Sequence, residues 1–346
     1  MKILIIQTAF IGDVILATPL IEKLNHHFPK ASIDFLLRKG NESLLFNHPK
    51  LNEVIVWNKK SGKIFNLLKL ILKIRKKKYD YVINLQRFAS SGFITFFSKG
   101  NTTIGFDKNP FSFMFNKRLK HEIKADGIQH EVERNLTLIE SITPAGFFKP
   151  VLYPTAADES FVKDLKMQDY VCIAPSSVWF TKQFPVEQWI KLIVLLLAGR
   201  WQNISNKNNH LIIYLLGAST DKAFCENIKL SFKDERVQIL AGKLTLLQTA
   251  ALMTGAQMNF VNDSAPMHIC SAMNAPVTAF FCSTVPGFGF GPLSDNRRII
   301  ELNKPLYCRP CGLHGYQACP EKHFKCAFDI NLEAEAIRPT TNIFAQ

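Results

Sequence analysis

A single carboxylate interrupts the apolar N-terminal segment of the chain. The stretch MKILIIQTAFIGDVILATPL places Gly12 and Asp13 between two hydrophobic runs. We expect Gly12 to adopt a positive φ and to turn the chain tightly, so that Asp13 begins a helix. A carboxylate in that position can cap the helix or act as a general base. The position alone favours the cap. The two roles are compatible, although the helix dipole would lower the pKa of the base.

A loop with two hydroxyls and a lysine follows a predicted strand in the second half of the chain. Its sequence, APSSVWFTKQFP, offers hydroxyl donors at Ser176 and Ser177 and a mobile cation at Lys182. These groups suit a pyrophosphate. Taken alone, an ordinary polar loop with a solvated lysine is the simpler interpretation.

A second strand-to-helix corner, NDSAPMH at 262–268, combines an acid, a hydroxyl and an imidazole. Asp263, Ser264 and His268 surround the start of a helix that has Pro266 in its first turn. Asp263 or Ser264 could instead cap this helix, with His268 an ordinary helix residue. The three side chains at one corner indicate a ligand site more strongly than any one of them.

Four cysteines lie close together near the C-terminus. Cys308, Cys311, Cys319 and Cys326 follow the spacing C-x2-C-x7-C-x6-C. Such a set could bind zinc or an iron–sulfur cluster, although the spacing fits no standard zinc finger. Reduced thiols in a structured loop are the alternative, since a cytoplasm disfavours disulfides.

Composition and charge limit the class of protein. The 346 residues include 42 Lys and Arg against 28 Asp and Glu, a net charge of +14. This excess indicates an anionic partner, either nucleic acid, a phosphorylated substrate or an anionic membrane, unless it reflects compositional drift alone. No apolar run reaches the ~20 residues of a membrane-spanning helix. We expect a cytoplasmic protein, peripheral on the inner membrane.

Short apolar runs alternate with amphipathic ones through both halves of the chain, which predicts parallel sheets built from βαβ units. The proline-containing region 144–160 has no clear period and marks a boundary between domains 1–155 and 156–346. Two doubly wound domains facing a cleft describe a GT-B fold, among other two-domain α/β proteins. The predicted strands are KILIIQ, SIDFLLR, EVIVWN, YDYVINLQ, YVCIAPSS, HLIIYLLG, VQILAG, MNFVND and VTAFFC.

A basic helix and two Phe-rich segments distinguish the first half. The helix KLILKIRKKK precedes FASSGFITFFSKG and FDKNPFSFMFNKRLK. Basic residues beside exposed Phe could rest on an anionic bilayer. A solvated basic face, with the Phe residues in the core, is the alternative. No recognised nucleic-acid module accompanies the charge, so a nucleic-acid partner is not expected.

The chain resembles the ADP-heptose:lipopolysaccharide heptosyltransferases, most closely their heptosyltransferase II branch. The resemblance rests on an ordered set of motifs that spans nearly the whole chain. They are I-x-x-x-x-x-G-D near the start, W-F-T-K-Q-F-P, L-L-G-A, L-A-G-K-L-T-L, N-D-S-A-P-M-H and the terminal C-x-P-C…C-P…H…C.

The resemblance implies an inverting GT-B glycosyltransferase with an N-terminal acceptor-binding domain and a C-terminal ADP-sugar-binding domain. Its donor is ADP-heptose, its acceptor is the lipopolysaccharide inner core, and its chemistry needs no metal or other cofactor. Asp13 is then the general base, and Lys182 stabilises the departing diphosphate. The donor and substrate contacts that it implies are Thr8, Gly12, Ser176, Ser177, Leu244, Asp263, Ser264, Ala265 and His268.

Some residues depart from the family pattern. Ala265 stands where the family usually has Gly, and a positive φ there would strain it. No D-x-D metal-binding motif occurs, so Lys and helix dipoles must neutralise the leaving phosphate.

Two other functions stay open: a related GT-B enzyme using another nucleotide sugar for a different envelope glycan, and a non-catalytic metal-binding scaffold.

Overall fold

The computed structural model describes residues 1–59, 63–125, 127, 129–206 and 210–338. The chain forms two compact units. Unit 1 is Met1–Lys124 with Ile128–Tyr153, and unit 2 is Ala125–Gly127 with Pro154–Gln346.

Unit 1 contains, within the described residues, a six-stranded parallel sheet in the order β3-β2-β1-β4-β5-β6. Helices follow β1, β3 and β4, whereas short 3-10 turns lie between β2 and β3 and between β5 and β6. The strands are β1 Lys2–Ile6, β2 Ser32–Arg38, β3 Glu53–Trp57, β4 Tyr81–Asn84, β5 Thr102–Phe106 and β6 Lys117–Leu119. The helices are α1 Ile11–His27, α2 Lys63–Lys77, α3 Ala89–Phe97 and α4 Glu131–Thr137.

Unit 2 repeats this architecture over its described part, with strand order β12-β11-β10-β7-β8-β9. Its strands are β7 Tyr170–Ala174, β8 Ile212–Leu215, β9 Val237–Ile239, β10 Asn259–Asn262, β11 Val277–Phe281 and β12 Arg297–Glu301. Its helices are α5 Ala156–Val162, α6 Val186–Leu197, α7 Lys222–Lys229, α8 Leu246–Thr254, α9 Ala265–Met273, α10 Lys325–Phe328 and α11 Leu332–Ala336.

The central strands are apolar because helices cover both faces of each parallel sheet. Residues Ile3–Ile6 of β1 are fully buried, and β7 is buried throughout. In unit 2 the rings of Phe184 and Phe280 stack 4.4 Å apart, with Trp189 packed edge-on against Phe280. This aromatic cluster fixes the chain just after Lys182 against strand β11.

The predicted fold class is confirmed, and every strand predicted from the sequence is present. Strands β5, β6 and β12 were not predicted. The segment ESLLFNH, for which the pattern predicts a helix, forms only a short 3-10 turn at Glu42–Leu44. The sequence also predicts Pro185 in the first turn of the helix that follows the lysine loop, whereas Pro185 is the residue immediately before α6. In the described ranges, no helix is long and apolar enough to cross a bilayer.

Candidate functional site

The polar loops of unit 2 lie at the point where the strand order of its parallel sheet reverses. Strands β7 and β10 are central neighbours, and the later strands extend outward from them on either side. Ligands of open parallel sheets bind beyond the strand carboxyl ends at such a reversal. Lys182 follows β7 and Asp263 follows β10, so the sheet itself brings the two predicted loops together.

Lys182 and Asp263 form a buried ion pair. The Lys182 Nζ lies 2.6 Å from Asp263 Oδ2, and the side chains are 15% and 6% exposed. The hydroxyl of Thr284, after β11, donates to the same oxygen at 2.7 Å. Lys182 is therefore not a solvated loop lysine. Its charge is held at the carboxyl edge of the sheet by a carboxylate.

Asn262 joins the two ends of the lysine loop. Its Nδ2 donates to the Pro175 carbonyl at 2.7 Å, and its Oδ1 accepts the Phe184 N–H at 2.9 Å. The side chain is fully buried. Because residues 175 and 184 bracket Lys182, this one amide fixes both ends of the loop. This role could not be predicted from the sequence, since an Asn at the end of a strand is common.

The cysteine-containing segment supports the turn that carries Lys182. The Thr181 hydroxyl accepts hydrogen bonds from the Tyr316 N–H at 2.7 Å and from the Ser283 hydroxyl at 3.0 Å. The Thr181 N–H in turn donates to the Tyr316 carbonyl at 3.1 Å. Gly315 has a φ of +74°, and a Cβ there would lie 2.8 Å from the Thr181 hydroxyl oxygen. Glycine is needed at this close approach.

The serines after β7 have different environments. The Oγ of Ser176 is buried, and among the described residues it has no hydrogen-bond partner. A buried hydroxyl without a partner is costly and is often completed by a ligand or water. The Ser177 Oγ accepts the Trp179 N–H at 3.4 Å. Ser177 therefore also organises its own loop.

Helix α9 begins directly at the second corner. Ser264 occupies the position before the helix, but its hydroxyl does not cap it. Ala265 is the first helical residue and has a negative φ, so the expected strain at this alanine does not arise. His268 is buried in the next turn. The amino end of α9 thus lies beside Asp263.

Leu244 lies at another carboxyl-end loop of the same sheet. It is half-buried in the bend between β9 and α8. The preceding Gly242 has a φ of +76°, and its N–H donates to the Gly217 carbonyl at 2.9 Å. This bond joins the loops that follow β8 and β9.

In unit 1, Asp13 caps the helix that it was predicted to begin. It is the third residue of α1, and its Oδ2 accepts the Phe10 N–H at 3.1 Å. The expectation for Gly12 is wrong: Gly12 lies inside the first turn of α1 and does not have a positive φ. The tight turn is made by residues 7–10 instead, where Asn41 donates to the Ala9 carbonyl at 2.9 Å.

The environment of Asp13 raises its affinity for a proton. Burial and the carboxylate of Glu131 raise the pKa of Asp13 to about 6, against the lowering effect of the Phe10 hydrogen bond and of Arg38. Glu131 itself stays ionised: although burial opposes this, His121 and Arg134 lower its pKa. The His121 Nε2 lies 3.1 and 3.2 Å from the two Glu131 oxygens, and the Arg134 Nε donates at 2.7 Å.

Glu131 was missed by the sequence analysis because only the fold brings it near Asp13. It is the first residue of α4, which packs against α1. One turn further along the two helices, Asn135 Nδ2 donates to the Leu16 carbonyl at 3.2 Å. The first turns of α1 and α4 therefore place two acids near each other.

Thr8 lies in the loop before α1. It is buried, and the Lys59 Nζ donates to its carbonyl and hydroxyl oxygens at 3.2 and 3.1 Å. Lys59 also lies 4.5 Å from the centre of the Trp57 ring. A cation is thus held at the carboxyl edge of β1 and β3.

The four clustered cysteines do not fit a metal site as arranged. Cys311 Sγ donates to the Cys308 carbonyl at 3.0 Å, while the buried Cys326 and the partly buried Cys319 pack on the core of unit 2. In the part of the chain that the structure describes, no group of three or more His, Cys, Asp or Glu side chains is placed to hold a metal ion.

Two doubly wound units with polar loops at the carboxyl ends of their strands are the architecture of the GT-B fold. Solved structures share this fold: Escherichia coli ADP-heptose LPS heptosyltransferase II matches with a TM-score of 0.74 and 22% identity, over 97% of this chain and 100% of that one. An E. coli heptosyltransferase solved with ADP matches with a TM-score of 0.69 and 21% identity, over 86% and 92% of the chains.

The family model of glycosyltransferase family 9 (heptosyltransferase) matches residues 67–317. The chain belongs to this family, and it is a glycosyltransferase. A lipopolysaccharide heptosyltransferase 3 of Escherichia coli is 29% identical over 299 residues, 83% of this chain and 85% of that protein. A lipooligosaccharide heptosyltransferase 2 of Haemophilus influenzae is 25% identical over 319 residues, 87% and 89% of the two chains.

The carboxyl of Asp13 should titrate near pH 6, and Glu131→Gln should move that titration to lower pH. Removing the neighbouring negative charge stabilises ionised Asp13, whereas Glu131→Asp, which keeps the charge, should largely preserve the wild-type value. The measurement is a carbon-13 NMR titration of aspartate-labelled protein, with Asp13→Asn identifying the signal. An unchanged titration in Glu131→Gln would show that the two carboxylates are not coupled.

Asp263→Ala should lower the free energy of unfolding by about 3 kcal/mol, because it leaves the buried Lys182 ammonium without its partner. Combining it with Lys182→Met should recover part of this loss, since no buried charge then remains. Urea unfolding of the wild type, both single variants and the double variant forms the thermodynamic cycle. Strict additivity of the two single changes would contradict the ion pair.

Proposed function

We propose that the protein transfers L-glycero-D-manno-heptose from ADP-heptose to the inner core of lipopolysaccharide, with inversion at the anomeric carbon. The observation that carries the proposal is Asp13, a carboxylate at the carboxyl edge of β1 with a pKa raised to about 6. A base with that pKa is ionised at neutral pH and still accepts a proton effectively. The heptosyltransferase relatives support the sugar and the acceptor.

In this mechanism the acceptor hydroxyl oxygen attacks the anomeric carbon of the donor. Asp13 takes the hydroxyl proton as the new carbon–oxygen bond forms. The bond between the anomeric carbon and the diphosphate breaks through an oxocarbenium-like transition state, and its electron pair leaves with ADP. The Phe10 N–H bond holds Asp13 in a fixed position. A fixed carboxylate is a better base than one on a mobile loop.

Lys182 would neutralise the charge that develops on the leaving diphosphate. Asp263 holds its ammonium at the carboxyl edge of the sheet, and the ammonium would exchange part of this contact for the phosphate oxygens of the leaving ADP. The unpartnered Ser176 hydroxyl and the amino end of α9, at Ser264 and Ala265, supply further donors. These positive groups do the work of a metal ion, so we expect transfer to proceed without one.

The remaining proposed contacts with the donor sugar and nucleotide are assigned from the positions of the side chains in the two units. Asp263 would accept hydrogen bonds from heptose hydroxyls, and His268 would lie at the diphosphate. Leu244 would line the adenine pocket. Thr8 and the backbone at Gly12 would lie near the sugar. The E. coli heptosyltransferase solved with ADP supports an adenine nucleotide as the donor's leaving group.

Three cations at the carboxyl edge of unit 1 suit an anionic acceptor. Arg38 lies 4.6 Å from the Phe10 ring, Lys59 lies 4.5 Å from Trp57, and Arg87 lies 5.6 Å from Phe88. Arg38 ends β2, while Lys59 and Arg87 follow β3 and β4, on either side of the central strand β1. Each cation is oriented by an aromatic ring, which favours binding of phosphate or carboxylate groups on a glycan. We place this work at the cytoplasmic face of the inner membrane, where a lipid-held acceptor would be found.

The test is transfer of heptose from ADP-heptose to a purified core acceptor, in the presence of EDTA. Asp13→Asn should lower kcat by about a thousandfold, because the proton then has no base to accept it. The matched control is Asp164→Asn, an exposed carboxylate of unit 2, which should retain wild-type activity. Equal activity of Asp13→Asn and the control would overturn the role of Asp13.

A nucleotide comparison separates this proposal from a related enzyme with another donor. Heat unfolding with ADP, UDP, GDP or NAD should show stabilisation by ADP alone, lost in Lys182→Ala. Selective stabilisation by UDP or GDP would assign a different nucleotide sugar and a different envelope glycan.

A further inference from the structure

Helix α2 carries two apolar faces, only one of which is covered. Leu70, Ile71 and Ile74 are buried against the sheet of unit 1, where they pack with core residues of β1 to β4. A helix that covers a sheet normally presents a polar face on its other side. The outer face of α2 does not follow this rule.

Three large apolar side chains form a stripe on the outer face. Phe65, Leu68 and Leu72 are 72%, 49% and 58% exposed. Their spacing of three and four residues places them on one side of the helix. Single exposed apolar residues are ordinary, but a contiguous set of this kind marks an interaction surface.

Cations accompany the stripe. Lys69, Arg75 and Lys76 are exposed on the same side, and α2 contains no acidic residue. The neighbouring lysines point elsewhere: Lys73 and Lys77 pair with Glu53 at the start of β3. Among the described residues, no carboxylate forms an ion pair with Lys69, Arg75 or Lys76, so the outer face keeps a positive charge there.

The surface continues on both sides of α2. Toward the sheet edge, a groove of about 640 Å³ lies between α2 and the edge strand β3, lined by Val56, Leu72, Lys69 and Lys76 among others. On the other side, α3 packs beside α2 and exposes Phe96. We name Phe65, Leu68, Lys69, Leu72, Lys76 and Phe96 the α2–α3 surface.

We propose that the α2–α3 surface docks unit 1 onto an anionic lipid bilayer. Apolar side chains of a surface helix enter the boundary between headgroups and acyl chains, while lysine and arginine stems extend to the anionic headgroups. The combination of an apolar stripe with uncancelled cations matches that chemistry. The inference rests on the part of the proposed function that places the enzyme at a membrane, and it assigns the face that makes the contact.

The charge of the α2–α3 surface argues against a second copy of this chain as its partner. A second copy of the chain would bring Lys69, Arg75 and Lys76 toward like charges, on a protein that already carries +14. The anionic surface of a bilayer has the opposite sign and no fixed shape to match.

The experiment is co-sedimentation of the purified full chain with vesicles. One set contains phosphatidylcholine and phosphatidylglycerol at a 7:3 ratio (about one-third anionic, enough to attract basic segments); the other is phosphatidylcholine alone. Two double variants test the two components of the surface: Leu68→Ser with Leu72→Ser, and Lys69→Gln with Lys76→Gln. Their matched controls on unit 2 are Phe161→Ser with Leu230→Ser, and Lys163→Gln with Lys325→Gln, all at exposed positions.

The wild type and both controls should bind the anionic vesicles and not the neutral ones. The lysine variant should bind at least about tenfold more weakly, since each exposed basic residue near such a surface contributes about fivefold. The leucine variant should also bind at least about tenfold more weakly, because burying an apolar side chain contributes ~1.5 kcal/mol or more, which is about tenfold in affinity. Circular dichroism and heat unfolding check that the variants fold. Transfer to a delipidated, soluble acceptor should be unchanged, because none of these residues belongs to the catalytic or substrate-binding groups.

Three results would overturn the inference. They are no binding of the wild type to anionic vesicles, equal binding by the surface variants, and a wild-type dimer in light scattering that Leu68→Ser with Leu72→Ser dissociates. Vesicle binding by a protein that shows no heptose transfer would instead refute the proposed function and leave the docking surface in place.

Discussion

The positions of the loops at the carboxyl edge of the unit 2 sheet depend on one buried ion pair. Lys182 and Asp263 come from the two strands at which the sheet reverses, and Thr284 from a third strand completes the contact. A buried charge is tolerated only with a partner and further hydrogen bonds. Three loops must therefore end at fixed positions for the pair to form. Asn262, the stacked Phe184 and Phe280 rings and the segment around Tyr316 each supply one of those restraints.

In unit 1 the electrostatic environment raises the pKa of a carboxylate, Asp13, at the start of a helix. The amino end of a helix normally favours an ionised carboxylate, which would make Asp13 a weak base. Burial and a second carboxylate, Glu131, outweigh this effect. Glu131 can stay charged because His121 and Arg134 hold it from the other side. The pKa of Asp13 is thus raised by a carboxylate that stands on a different helix.

The sequence predicted what depends on local pattern and missed what depends on tertiary contact. Buried strands such as KILII and YVCIA were found because continuous apolar runs are typical of covered parallel sheets. Strands β6, KRL, and β12, RRIIE, are short and charged edge strands, so their pattern is weak. Asp13, Lys182 and Asp263 could be chosen from the sequence because each stands close to the end of a predicted strand, and their roles in binding and catalysis stay predictions. Their partners Glu131, Thr284 and Asn262 could not be chosen, because spacing along the chain does not encode those contacts.

The support of Thr181 by Tyr316 has a consequence for how the protein is made. Synthesis proceeds from the N-terminus, so the strands that carry Lys182 and Asp263 leave the ribosome well before the segment that holds the lysine turn in place. A nascent chain can bury its apolar strands at that stage, yet its lysine turn still lacks two hydrogen bonds. The turn that carries Lys182 therefore becomes complete only after the segment around Tyr316 has been synthesised.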